Sequence, residues 1–291
     1  SMSTIDSRIE IYTGTPGGAA TLIASGSNNG TLTAGVFIDG WVGFKAVLGT
    51  VYYVVVKADP LSGPGATGPY TLRVNAISTA FPTPDSVTGE ATVNGSITRP
   101  GQDVVYRLQT PAATTFNGLM TIIGKATPAD LDTRLDIYDA AGNFIISDSD
   151  AGNLTDSFLG TVSAASTTYY IRVRSDEFGD PTLRPSTGNF TVAFDGIPED
   201  ITLDPVTRLS GVVPGNLTNQ KDANLYSFVA QGTGLTFVSL GLALPPLTDS
   251  ALRLFNTSAV QIGFNELPGA LSRLQIQLVG GQRYFLVVDS F

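Results

Sequence analysis

In the stretch Arg273-Leu274-Gln275-Ile276-Gln277-Leu278, apolar and polar residues alternate without a break. Ile171-Arg172-Val173-Arg174 follows the same pattern. A period of two marks a strand with one face buried and the other wet. No apolar spacing of three and four runs far enough to predict a helix. Turn residues punctuate the strands, and Asn29-Gly30, Asn94-Gly95 and Ala141-Gly142-Asn143 are expected to reverse the chain.

The strand pattern repeats over long intervals. Asp6-Ser7-Arg8-Ile9-Glu10-Ile11-Tyr12 returns as Asp132-Thr133-Arg134-Leu135-Asp136-Ile137-Tyr138 and as Asp249-Ser250-Ala251-Leu252-Arg253-Leu254-Phe255. A second marker follows each copy: Tyr52 to Val56, Tyr169 to Val173 and Tyr284 to Val288. The spacings, 117 and 115 residues for the second marker, set a domain-sized period near 117. Two further markers complete only the middle copy. One is Asp103 to Leu108, matched by Asp222 to Phe228; the other is Gly188 to Phe194, matched by Gly68 to Val74. Several short strands per repeat predict an all-β fold of tandem antiparallel β-sandwich, jelly-roll-like repeats. The expected divisions are 1–80, lacking its opening strands, 81–198, complete, and 199–291, lacking its closing strand. Short linkers with proline, Ser78 to Ser86 and Gly196 to Asp200, are expected to join them as a semi-rigid string.

Composition narrows the chemistry. The 291 residues include no His and no Cys, which excludes Ser-His-Asp and Cys-His catalysis and zinc sites built on those ligands. Lys and Arg total 16 against 25 Asp and Glu, a net charge of −9, so neither nucleic acid nor an anionic membrane surface is an expected partner. No apolar run approaches the roughly 18 residues of a spanning helix, so no membrane insertion is expected. Low lysine and the lack of cysteine suit a bacterial secreted or surface protein. Ser1-Met2 reads as a protease scar joined to an internal start, which places the native leader outside this chain.

The order of the markers resembles the bacterial pre-peptidase C-terminal domain. The matching residues are Asp103 to Leu108, Asp132 to Gly142, Tyr169 to Val173 and Gly188 to Val192. The resemblance covers nearly the whole chain as tandem repeats. It implies a jelly-roll-like sandwich appended to secreted proteases or built into large surface proteins. It also implies calcium binding in some members, and it brings no catalytic residues.

Calcium takes about six to eight oxygen ligands. Asp130 and Asp132 enter one strand of the second repeat, and Asp148 and Asp150 lie in the loop that closes the next hairpin. Pairing through the turn at Gly142 brings these ends together, which makes the four residues a candidate calcium site. The competing reading is that they are solvated loop acids. The equivalent loops hold Ser25, Ser27 and Asn28 in the first repeat and Asn265 and Glu266 in the third. Asp6, Asp132 and Asp249 recur at one position, either as ligands or, the preferred reading, as residues capping the strand entry. Trp41 and one of each Tyr52/Tyr53 and Tyr169/Tyr170 pair are candidates for glycan stacking, against core packing.

These features predict a non-catalytic extracellular or cell-surface segment. Its role would be spacer or adhesion module of a larger bacterial protein, with substrate targeting for a secreted hydrolase as the alternative. No cofactor is called for beyond calcium. Expected partners are an extracellular protein or glycan, together with self-association through open sheet edges.

Overall fold

The computed structural model describes residues 7–14, 19–27, 40, 42–59, 67–68, 70, 72, 74, 79–86, 89–99, 102–112, 117–127, 131–149, 156–176, 186–204, 210–215, 223–240, 250–266 and 272–290. Among these the fold is all-β, and no helix is long and apolar enough to cross a membrane.

The first repeat contributes β1 (Ser7–Thr13), β2 (Thr21–Gly26) and β3 (Tyr52–Ala58). The middle of the chain contributes β4 (Thr79–Ala80), β5 (Ala91–Ile97), β6 (Val104–Gln109), β7 (Asn117–Thr127), β8 (Thr133–Tyr138), β9 (Phe144–Asp148), β10 (Ser157–Ala164), β11 (Thr168–Ser175) and β12 (Gly188–Asp195). The last part contributes β13 (Glu199–Asp200), β14 (Ala223–Val229), β15 (Gly234–Ser239), β16 (Ser250–Phe255), β17 (Gln261–Glu266), β18 (Arg273–Leu278) and β19 (Arg283–Ser290).

One sheet arrangement recurs. The orders β2-β1-β3, β4-β6-β11-β8-β9 and β13-β14-β19-β16-β17 share a hairpin (β1–β2, β8–β9, β16–β17) whose first strand also pairs with a later strand. In the second sandwich a four-stranded sheet, β10-β7-β12-β5, closes the other side of the core. In the third the pair β15-β18 does so. Inward residues of both layers meet: Leu135, Ile137, Ile171 and Val173 face Ile122, Phe190 and Val192, all fully buried. Leu252, Leu254 and Leu286 likewise face Leu274 and Leu278. The second and third sandwiches form one compact unit; the first repeat, with the tip of the β8–β9 hairpin, forms another.

Three local features explain the recurring sequence markers. The leading tyrosine of each second marker turns its hydroxyl back to accept the N–H five residues upstream: Tyr52 from Val47 at 2.7 Å, Tyr169 from Ala164 at 3.1 Å, Tyr284 from Val279 at 2.9 Å. Each therefore staples the turn that feeds its own strand. Asp139 caps the β8–β9 turn by accepting from Ala141 and Asn143, and Asn256 does the same for Ser258 and Val260. Gly142 completes the first of these turns at φ +88°, a conformation that favours glycine.

Asn94-Gly95 is not a turn. Both residues lie inside β5, where a Cβ on Gly95 would stand 2.4 Å from the Phe190 ring and from the Tyr106 hydroxyl. Glycine is there to admit two aromatic side chains against the strand. The linkers are likewise more than spacers. Thr79–Ala80 pairs in parallel with β6 and Glu199–Asp200 with β14. Just beyond them, Phe81 N–H donates to Arg107 at 2.9 Å, and its ring packs edge-on to Tyr106 in the second core. Ile201 N–H donates to Ser227 at 2.7 Å, and its side chain packs on the third core.

Candidate functional site: buried charges and the junction between sandwiches

Alternation makes Arg134, Asp136, Arg172 and Arg174 point away from the core. Sequence periodicity assigns that face to water, yet Arg134 and Arg172 are each only 6% exposed and Asp136 is 0%. The Asp136 carboxylate lies 3.3 Å from Arg134 Nε, 3.0 Å from Arg172 Nη1 and 3.1 Å from Arg174 Nε. Asp103 meets Arg172 at 3.0 Å, and Asp176 meets Arg134 at 3.7 Å. Three acids thus balance three arginines. Desolvation holds the Arg174 guanidinium below its ordinary value, against the pull of Asp136. A balanced, hydrogen-bonded network is how a sheet face tolerates buried charge.

The same strand position recurs as Glu10 and as Arg253. In both hairpins the register shifts after the next residue, between Ile11 and Tyr12 and between Leu254 and Phe255. Glu10 receives Arg8 Nε at 3.1 Å, Lys57 Nζ at 2.5 Å and the Tyr12 hydroxyl at 2.6 Å. The Lys57 hydrogen bond, followed by that of Tyr12, holds its carboxyl below the usual range. Arg253, 2% exposed, lies between two rings, with its guanidinium carbon 4.4 Å from the Phe158 centroid and 4.6 Å from that of Phe264. Burial pushes its pKa down while Asp289, Asp148 and Glu266 pull it up.

Phe158 belongs to β10 of the second sandwich but faces away from that core, and so makes the junction. It packs with Ala223, Leu225, Phe255, Phe285 and Val287 on the outer face of β14, β16 and β19. Its ring stacks on Phe255 at 6.1 Å. Asp195, at the end of β12, adds a polar tie by accepting the Leu225 N–H at 3.0 Å. Burial, reinforced by Glu90, pushes its carboxyl well above the usual range; the N–H groups of Leu225, Ile197 and Gly196 act in the other direction. Sequence reading missed Phe158, Arg253 and Asp195. The one signal was the presence of charge and ring at strand positions that alternation assigns to solvent.

The candidate calcium ligands divide. Asp130 and Asp150 lie outside the described residues. Asp148 Oδ2 accepts the Phe158 N–H at 3.0 Å, so its carboxylate holds the strand that carries the junction ring. The Asp132 main chain ties the strand entry, its N–H donating to Ser186 Oγ at 3.1 Å and its carbonyl accepting from Asp176. Among the described residues, no three acids gather into a group that could hold a metal ion. Asp6, Asp249 and Trp41 also lie outside the described residues. Of the tyrosines weighed for glycan stacking, Tyr52 and Tyr169 are committed to their turns, and Tyr53 and Tyr170 are half-buried.

No protein-family pattern and no curated protein matches the chain. Solved structures similar to it include the pre-peptidase C-terminal domain of a Bacillus anthracis collagenase, at 13% identity and TM-score 0.29, covering 42% of this chain and 99% of that one. The Aeromonas hydrophila periplasmic inhibitor of g-type lysozyme, PliG, is similar at 14% identity and TM-score 0.29, over 40% and 95% of the two chains. The M60 catalytic domain with two CBM51 domains of Clostridium perfringens ZmpB is similar at 9% identity and TM-score 0.20, over 97% and 49%.

Proposed function

We propose that this chain is a non-catalytic extracellular segment of tandem β-sandwiches, a stiff spacer or adhesion module within a larger bacterial surface or secreted protein. The observation that carries this reading is the apolar junction between the second and third sandwiches. Phe158 and Arg253 interlock across it, and Asp195 bonds to Leu225 beside them. A shared apolar cluster of this kind converts two modules into one lever, whereas a bare linker leaves them free to swing. The buried charges support the same reading. Asp136, Arg172 and Arg174 are paired with one another across a sheet face.

The absence of cysteine makes the test clean. Val162, 50% exposed, and Val279, 53% exposed, lie in different sandwiches and accept single spin labels as Val162→Cys and Val279→Cys. A stiff spacer yields one narrow distance distribution by electron–electron resonance. A broad distribution would sink the proposal.

A further inference from the structure

We infer that the outer face of the first repeat, around Glu10, Tyr12, Tyr53 and Val55, is a docking face for the third sandwich of a second copy of this chain. The template lies within the chain itself. Strand register places Tyr12, Tyr53 and Val55 of the first repeat where the third sandwich has Phe255, Phe285 and Val287, because Tyr12 pairs with Tyr53 and Glu10 with Val55 as Phe255 pairs with Phe285 and Arg253 with Val287. In the third sandwich that patch is closed by Phe158, and Val287 is 0% exposed. In the first repeat Val55 is 40% exposed.

The occupant follows from the other half of the junction. Phe158 reaches its partner from β10, where its N–H is held by Asp148 and Ser157 Oγ donates to the Thr133 carbonyl. The third sandwich repeats this arrangement with the next residue types: the Arg273 N–H donates to Asn265 Oδ1 at 2.9 Å, and Ser272 Oγ donates to the Ser250 carbonyl. Arg273 is therefore the counterpart of Phe158. It is exposed, on the same sheet face as Leu235 and Phe237, which are 48% and 62% exposed.

The two open faces are complementary. At the existing junction the projecting residue is a ring and the receiving residue a guanidinium. At the proposed contact the projecting residue is a guanidinium and the receiving residue a ring, Tyr12, beside the buried Glu10 carboxylate that Arg8 and Lys57 already neutralise. Arg8 and Lys57 meet Glu10 at Oε1 and the Tyr12 hydroxyl fills Oε2, so Arg273 is left to stack on the Tyr12 ring. Phe237 and Leu235 then cover Val55 and Tyr53. Because the two faces lie on different repeats, the contact is head-to-tail, each copy offering one receiving and one projecting face.

Sedimentation velocity on the whole chain, from micromolar to submillimolar concentration, tests this. The wild type is expected to associate as concentration rises. Phe237→Lys with Arg273→Glu disables the projecting face, and Val55→Lys disables the receiving face. Each variant alone is expected to lose association by about tenfold or more, the effect of removing about 1.4 kcal/mol. Mixed together, the two are expected to form a dimer and nothing larger, since each retains the face the other lacks. All substituted side chains are exposed, and unchanged thermal melts show that the fold survives; Leu235→Lys replaces the double variant if it melts early. A wild type that stays monomeric throughout overturns the inference. So does association of either variant at wild-type strength, or a mixture that fails to form the dimer. The inference rests on the junction geometry, and none of these outcomes bears on the spacer reading.

Discussion

Glu10 and Arg253 occupy one position in two equivalent strands, carry opposite charges, and are buried to 4% and 2% exposure. Asp136 is the third member of the series, fully buried. The sheet face conserves a centre of charge within the chain while its sign changes with the surroundings. Lysine and arginine surround the two acids, and two aromatic rings sandwich the arginine.

Asp136→Ala leaves three arginines crowded on a dry face. Breaking a buried ion network from one side costs about 3–5 kcal/mol. Calorimetry should show the transition of the second and third sandwiches fall by about 2–4 °C per kcal/mol lost. A loss below about 1 kcal/mol would mean that solvent reaches this face.

Phe158→Ala removes the ring that both seals the apolar cluster and stacks on Arg253. Truncating a buried phenylalanine costs about 3–5 kcal/mol. Here part of that cost falls on the coupling between sandwiches. One cooperative calorimetric transition is expected to separate into two, and an unchanged single transition would contradict the coupling.

Asp195 has a folded pKa raised above its unfolded value, so the protonated form favours the fold. Its contribution is complete below the usual carboxylate range. It is lost as pH rises through that range towards the raised folded value, and then stays lost. Asp195→Asn keeps an oxygen for the Leu225 N–H and removes the buried charge. The variant is expected to melt higher than wild type at neutral pH, with the difference vanishing below the carboxylate range. Equal melting temperatures across both ranges would refute this.

Tyr284→Phe deletes one hydroxyl and leaves the Val279 N–H without its acceptor. A loss of about 0.5–1.5 kcal/mol is expected, the net worth of one such bond. Tyr169→Phe should behave alike at Ala164, and urea titration of both variants measures it. A neutral result in both would remove the staple from the explanation of the repeated tyrosine.

The antiparallel β-sandwich class was legible because period-two alternation and turn residues act locally. Tyr169 announced itself by recurrence, and it proved to bond five residues upstream at Ala164. What misled was the outer face. Alternation separates two sides of a strand but cannot say that the side away from the core buries a charge network, so Arg172 read as solvated. Asn94-Gly95 misled for the opposite reason. The dipeptide favours turns locally, but packing by Phe190 and Tyr106, distant in sequence, decided its conformation. Asp148 drew notice as an acid, and its carboxylate accepts a backbone N–H from β10 in the facing sheet.

The parallel pairing of Thr79–Ala80 and Glu199–Asp200 with the strands that follow them bears on how such chains multiply. A gene segment copied from the end of one core to the end of the next would carry its own leading strand. A segment cut inside Phe81 or Ile201 would arrive without its anchor. Each of these two cores is thus anchored from upstream of its first long strand, by residues that look like a tether.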